Sequence, residues 1–185
     1  MNSHLTLTAA RRFGAAWLVA AVSACGAGDP PSARDALPGN ASLKSQIQAL
    51  ERSGALPALD RSTSITGPDA NNNGVRDDIE AYIAGLPLSD AQKRAAIQAA
   101  KALQRTLTAD LQDKVALQKV GDGLMASTKC LGDRFAPDIS SKSELSGKIE
   151  AMTANTKERA RRYNQYNSAR SGSVTSMPDG DTCEK

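Results

Sequence analysis

Residues 89–111 read SDAQKRAAIQAAKALQRTLTADL, and this stretch decides the fold class. Its apolar residues recur at the spacing of one face of an α-helix: Ile97, Ala100, Leu103, Leu107 and Leu111. Ser89 and Gln92 have the spacing of a capping box, in which each side chain accepts the other residue's backbone N–H. The sequence therefore predicts a long amphipathic helix that begins at Ser89.

The helical pattern continues downstream of this stretch. Apolar residues run on towards Cys130 with less regular spacing: Val115, Leu117, Val120 and Leu124. Gly121 and Gly123 lie in that run and predict a kink or a break. Ser141 and Glu144 form a second capping-box pair, which opens another helix. The apolar face of that helix is expected to carry Leu145, Ile149, Met152, Tyr163 and Tyr166.

Two shorter helical patterns lie upstream, one with Leu43, Ile47 and Leu50 and the other with Ile79, Tyr82 and Ile83. The sequence has no sustained alternation of apolar and polar residues, so it gives no strand signal. Aromatic residues are only 3% of the chain, and the core must therefore be built from Ala, Leu, Ile and Val. We predict one all-α domain of about four helices over residues 41–170.

Residues 69–80 read DANNNGVRDDIE and fit the spacing of a calcium-binding loop at every constrained position. Calcium takes six to eight oxygen ligands, and this spacing offers them from one short segment. Gly74 would supply the sharp turn. The predicted metal ligands are Asp69, Asn71, Asn73, the main-chain carbonyl of Val75, Asp77 (through water) and Glu80.

This stretch resembles the loop of the EF-hand and dockerin families, and the resemblance covers residues 69–80 only. It departs from the EF-hand pattern at Arg76, where those loops usually carry an apolar residue that pairs with a second loop. The resemblance implies Ca²⁺ as the cofactor. Because two ligands are neutral asparagines and the loop has no partner loop, we expect a dissociation constant of about 10⁻⁴ to 10⁻³ M. The alternative is an Asn-rich turn in which Asp77 or Asp78 caps the following helix.

The amino terminus predicts secretion and an anchor. Arg11 and Arg12 precede a twelve-residue apolar run, residues 13–24, which is too short for an ordinary membrane-spanning helix. The run ends in Val-Ser-Ala-Cys at residues 22–25, which resembles the lipobox of bacterial lipoproteins. The resemblance implies that residues 1–24 are a signal peptide and that Cys25 is lipidated; a plain secretory signal is the alternative.

An anchored chain of this kind belongs to the cell envelope. In the lipoprotein family, members retained at the inner membrane carry aspartate directly after the lipidated cysteine. This chain has Gly26 at that position. We therefore expect the outer membrane, facing the periplasm, if the cell is Gram-negative. Residues 25–40 form a tether rich in Pro, Gly and Ala.

Cys130 and Cys183 are an even pair in an oxidising compartment, so the sequence predicts a disulfide. The bridge would pin the polar tail, residues 171–185, to the helical domain. A redox role is the alternative, but no C-x-x-C motif accompanies the pair.

Composition removes several classes of function. The only histidine, His4, lies in the predicted signal peptide, which excludes Ser-His-Asp and Cys-His mechanisms from the mature chain. A hydrolase that uses carboxylates alone survives in principle. Without Arg11 and Arg12, the 23 basic residues fall to 21, against 20 acidic ones, and no charge argument for nucleic acid remains.

We therefore expect a calcium-binding lipoprotein of the bacterial envelope, anchored in the membrane, with structural calcium and no enzymatic activity. The competing interpretation is a helical adaptor that contacts an envelope protein or peptidoglycan and has no functional calcium site. The run KERARRYNQYNSAR, residues 157–170, could face anionic partners. We favour a solvated helix face with Tyr163 and Tyr166 directed at the core.

Overall fold

The computed structural model describes residues 42–185, and every regular element in this range is an α-helix. The all-α prediction is confirmed for these residues, with six helices in place of about four. The predicted signal peptide, the lipidation site Cys25 and nearly all of the tether lie outside the described residues. The helices are α1 Leu43–Arg52, α2 Asp77–Gly85, α3 Asp90–Thr108, α4 Lys114–Phe135, α5 Ile139–Thr153 and α6 Lys157–Ala169.

The helix predicted from Ser89 is two helices, α3 and α4, and its break lies at residues 109–113. Asp113 caps α4, because its carboxylate accepts the N–H groups of Val115 and Ala116 at 2.8 and 3.1 Å. The capping box at Ser89 is confirmed, with Ser89 Oγ 3.3 Å from the N of Gln92 and Gln92 Oε1 3.1 Å from the N of Ser89.

The break predicted at Gly121 and Gly123 is wrong, since α4 runs through both. A Cβ atom on Gly121 would lie 2.6 Å from Nη2 of Arg170, so this glycine leaves room for the guanidinium of Arg170 beside α4. A helix tolerates an interior glycine at a cost of about 1 kcal/mol.

The second predicted helix is also two helices, α5 and α6. The capping box predicted at Ser141 and Glu144 is wrong, because α5 begins at Ile139 and its cap is Asp138, which accepts the Ser141 N–H at 3.0 Å. Thr156 caps α6 by accepting the N–H of Arg159 at 3.2 Å.

Helix α3 is the central helix of the described fold, because it packs against α2, α4, α5 and α6. Five of its alanines are buried, and such small side chains allow close helix packing: Ala95, Ala96, Ala99, Ala100 and Ala102. Besides Leu103 of α3 and Val75 of the loop before α2, the larger side chains of the main core come from the surrounding helices: Ile79, Ile83, Leu131, Phe135, Leu145, Ile149 and Met152. None of the described helices combines the length and apolar character needed to cross a bilayer.

A disulfide joins Cys130 of α4 to Cys183 of the tail, with the two Sγ atoms 2.06 Å apart. Gln98 of α3 holds the same segment through both ends of its amide group. Its Nε2 donates to the carbonyl of Thr182 at 2.8 Å, and its Oε1 accepts the N–H of Glu184 at 2.9 Å. The end of the tail is therefore held on the α3 and α4 side of the domain.

Candidate metal centre

The 69–80 loop joins an irregular segment to α2, and the predicted ligands converge within it. Glu80, in the first turn of α2, receives two side-chain amide groups. Its Oε2 accepts from Nδ2 of Asn71 at 3.0 Å, and its Oε1 accepts from Nδ2 of Asn73. The closing acid thus folds back onto the third and fifth positions of the loop.

Side-chain oxygens also curl the backbone of the loop. The carboxylate of Asp69 accepts the N–H groups of Asn73 and Gly74 at 3.1 and 2.9 Å. Asn73 Oδ1 accepts the N–H of Val75 at 2.8 Å. Gly74 has φ +85°, a conformation that glycine adopts without steric cost. Asp69, Asn71, Asn73 and Glu80 are therefore brought together around one tight turn.

Asp77 closes the loop at its base. Its carboxylate accepts the N–H of Ala70 at 2.9 Å, and its own N–H donates to the carbonyl of Pro68 at 2.9 Å. The helix cap expected at Asp77 or Asp78 is wrong, because α2 begins at Asp77 with Arg76 as its cap residue and no side-chain capping bond.

The donor set of the loop fits a hard cation. Asp69 and Glu80 supply carboxylate oxygens, while Asn71 and Asn73 supply neutral amide oxygens, and calcium accepts both types. Among residues 42–185, no group of three or more His, Cys, Asp or Glu side chains could hold a metal ion. A cation in this loop would therefore need the asparagine side chains and the carbonyl of Val75 as well as the acids.

Arg76, at the position where an EF-hand loop carries its apolar residue, is completely buried. Its Nε and Nη2 form a two-pronged ion pair with Asp78, at 2.5 and 2.9 Å. Nη2 also donates to the carbonyl of Met152 at 3.0 Å. Arg76 thus fastens the loop to the end of α5 and pairs with no second loop in the described chain.

A second completely buried arginine, Arg159 of α6, lies beside Arg76. Its guanidinium makes five hydrogen bonds, which equals its number of N–H donors. Three go to main-chain carbonyls: Asp60 at 2.8 Å, Ser64 at 2.8 Å and Ile65 at 3.2 Å. The other two go to Asp60 Oδ2 at 2.5 Å and Asn155 Oδ1 at 2.8 Å.

Asp60, Gly67, Arg76, Asp78, Asn155 and Arg159 together form what we call the arginine junction. Gly67 has φ +68°, and a Cβ atom there would lie 2.9 Å from Nη2 of Arg159 and 2.9 Å from Cγ of Arg76. Partial burial raises the pKa of Asp60, but hydrogen bonds from Arg159 and Ser62 outweigh it, and the net shift is downward.

The solvated face expected for residues 157–170 is only partly correct. Tyr166 is buried and Lys157 is exposed, as expected. Arg159 is buried, however, and Arg162 donates to the main-chain carbonyl of Leu107 at 2.8 Å. Sequence reasoning missed this because a buried arginine needs acceptors, and those of Arg159 lie 94 to 99 residues away, apart from Asn155.

Comparisons of the chain with protein-family models, curated proteins and solved structures give no match. A fold by itself does not supply a function, which resides in particular sites. The chemistry of the 69–80 loop is therefore the basis on which a function is inferred for this protein.

Proposed function

We propose that this protein is a membrane-anchored lipoprotein of the bacterial envelope that binds one calcium ion in the 69–80 loop. The observation that carries the proposal is the position of Glu80, whose two carboxylate oxygens reach the side chains of both Asn71 and Asn73. Asp69 meets the same turn from its other end through the N–H groups of Asn73 and Gly74.

The ion would be held by oxygen atoms alone. Asp69, Asn71, Asn73 and Glu80 would offer side-chain oxygens, and Val75 its main-chain carbonyl. Asp77 would act through water, as is usual at the ninth position of such loops. Bound calcium would neutralise the carboxylates of Asp69 and Glu80 and link the first turn of the loop to α2.

We assign the ion a structural role, because the loop is continuous with the core. Val75 is buried in the main apolar cluster, and Arg76 is buried in the arginine junction. Two of the four side-chain ligands around the turn are neutral amides, which lowers the ligand charge. An affinity at the weak end of the calcium-loop range is therefore expected.

The anchor of the proposal is Cys25, which lies outside the described residues. Its support is the Val-Ser-Ala-Cys sequence at the end of the apolar run. Palmitate labelling of the wild-type chain should be strong and should disappear in Cys25→Ser. Label that is absent from the wild type, or retained in the serine variant, would refute the anchor.

Titration calorimetry of the full chain with calcium tests the metal site. One ion per chain should bind with sub-millimolar to millimolar affinity, and Asp69→Ala should abolish the binding because it removes a charged ligand. Asp179→Ala, in the exposed tail, is the matched control and should bind calcium like the wild type. Magnesium should compete poorly, because it demands a tighter octahedral shell.

The absence of both binding heat and a melting shift at about 10 mM calcium would contradict the proposal, since this concentration exceeds the weakest affinity expected of such loops. The 69–80 segment would then be a hydrogen-bonded turn without a metal.

A further inference from the structure

Helix α1 is amphipathic, yet its apolar face is only partly covered, because Leu43 is exposed while Ile47 and Leu50 are half-buried. Leu43, Ile47 and Leu50 lie on one side of the helix, and no residue of α1 is buried. Leu43 is 73% exposed. No other described helix packs extensively against α1, which is held instead by Glu51 through an ion pair with Arg61 at 2.5 Å. In soluble proteins such an apolar face normally packs on a core.

The exposed part of this face continues onto the neighbouring loop. Two shallow depressions, of about 290 and 380 Å³, meet at Arg61. The first is lined by α1 residues, among them Leu43 and Ile47. The second includes Leu56 and Pro57, and Leu56 is 40% exposed. We call this region the α1 surface: Leu43, Lys44, Ile47, Leu56, Pro57 and Arg61.

Both charged residues of the α1 surface are basic. Among the described residues Lys44 forms no ion pair, whereas Arg61 is paired with Glu51. Long basic side chains can lay their aliphatic stems on apolar ground while the charged ends reach polar headgroups. Exposed apolar residues beside basic side chains are the composition of helices that lie at a membrane interface and favour anionic lipids.

The position of α1 along the chain brings it close to a bilayer. Its cap residue, Ser42, follows Cys25 by 17 residues (42 minus 25), which span at most about 60 Å when fully extended. Attachment of Cys25 would hold α1 near the headgroups at an effective concentration in the millimolar range, so that weak contacts suffice. This step rests on the lipid anchor of the proposed function.

We propose that the α1 surface lies on the anionic phospholipid headgroups of the membrane that anchors Cys25. The anchored domain then has a fixed orientation, with α1 against the bilayer. A protein partner or a second copy is disfavoured by area, because a stable protein interface buries about 800 Å² per partner, whereas α1 has ten residues and Arg61 interrupts its apolar surroundings.

Tryptophan reporters in the full chain, matured in cells and reconstituted into vesicles, test this proposal. Leu43→Trp reports on the α1 surface, and Val115→Trp is the matched control because Val115 is 78% exposed at the start of α4. Both carry Trp17→Phe, which removes the only native tryptophan. Brominated phosphatidylglycerol in the vesicles quenches a tryptophan that reaches the lipid.

The Leu43→Trp reporter should be quenched at least several-fold more strongly than the Val115→Trp control. Adding Lys44→Glu, or replacing phosphatidylglycerol by phosphatidylcholine, should remove most of the difference. Equal quenching of the two reporters, or quenching that survives charge reversal, would overturn the proposal. So would a concentration-dependent emission shift of the Leu43→Trp reporter without vesicles, which would indicate self-association.

Intact mass spectrometry of the same samples separates the two proposals. A mass without acyl groups on Cys25 refutes the lipid anchor by itself. Tryptophan quenching of both reporters is then measured after the same vesicles are added to the unacylated chain. Ile47→Glu is introduced as a further variant. Quenching that Ile47→Glu abolishes would support the α1 surface without the anchor, and the absence of quenching would overturn it.

Discussion

The 69–80 loop and the arginine junction meet at Arg76 and Asp78, yet they are built from contacts of different range. In the loop, Glu80 contacts Asn71 and Asn73, which lie nine and seven residues away in sequence. In the junction, Arg159 bonds to Asp60 across 99 residues and Arg76 bonds to Met152 across 76. The loop is a local structure, whereas the junction exists only when the chain has folded.

The two regions also differ in exposure. Asn71 is exposed and Glu80 is half-buried, whereas Arg76 and Arg159 are completely buried. Water can replace a lost hydrogen bond at the loop, but it reaches the junction poorly, and a buried charge without its partner is costly. We therefore expect changes in the junction to reduce the stability of the fold and changes in the loop to affect mainly the response to calcium.

Arg159→Met should have the largest effect and reduce the free energy of unfolding by about 3 kcal/mol or more. It leaves Asp60 without its cation and several main-chain carbonyls without donors. Urea denaturation measures the loss. Arg161→Met, at an exposed position of the same helix, is the control and should change stability by no more than about 0.5 kcal/mol. A loss below about 1 kcal/mol for Arg159→Met would erase the contrast between the two regions.

Gly67→Ala should follow, with a loss of about 2 to 3 kcal/mol. The added Cβ combines backbone strain at φ +68° with a clash against both arginines. Gly54→Ala is the matched control, because Gly54 has φ +76° but open space around it, and it should lose only the strain, about 1 kcal/mol. Thermal or urea unfolding measures both losses. If Gly67→Ala and Gly54→Ala lost equal free energy of unfolding, the two arginine side chains would have to move away from the added Cβ without an energetic cost.

Glu80→Gln should leave the calcium-free stability within about 1 kcal/mol of wild type, because a glutamine oxygen can still accept one of the two amide groups. Calcium at 100 times the dissociation constant should raise the free energy of unfolding of the wild type by about 2.7 kcal/mol, and it should not raise that of the variant. Thermal melts with and without calcium measure both quantities. Glu144→Gln, at an exposed position of α5, is the control. If calcium stabilised Glu80→Gln as strongly as the wild type, the ion would have to bind outside the loop.

The smallest effect should be a pH dependence that comes from the junction. The pKa of Asp60 is lowered in the folded state, so its contribution is fully present above the unfolded value of about 3.9 and is lost as the pH falls through the lower folded value. The stability difference between wild type and Asp60→Asn should therefore narrow as the pH falls from about 5 to about 2. Urea midpoints across this range measure it, and a constant difference would exclude Asp60 as the titrating group.

Local patterns in the sequence were sufficient for the fold class, for the capping box at Ser89 and for the residues that converge in the 69–80 loop. Each of these features depends on partners within about one turn of helix or one short loop, so the spacing of residue types determines them. The disulfide between Cys130 and Cys183 was also predictable, because only two cysteines remain beside Cys25.

Only the tertiary structure decided where the long helical pattern breaks, why Gly121 is a glycine and why Arg159 is buried. Gly121 accommodates the side chain of Arg170, which follows α6, and Arg159 finds most of its acceptors in a segment more than 90 residues away. Charged side chains are mostly exposed in proteins, so a local sequence pattern predicts an exposed arginine at this position. It is buried here because folding brings distant carbonyls and a carboxylate to all five of its donors, and no short window of sequence contains those partners.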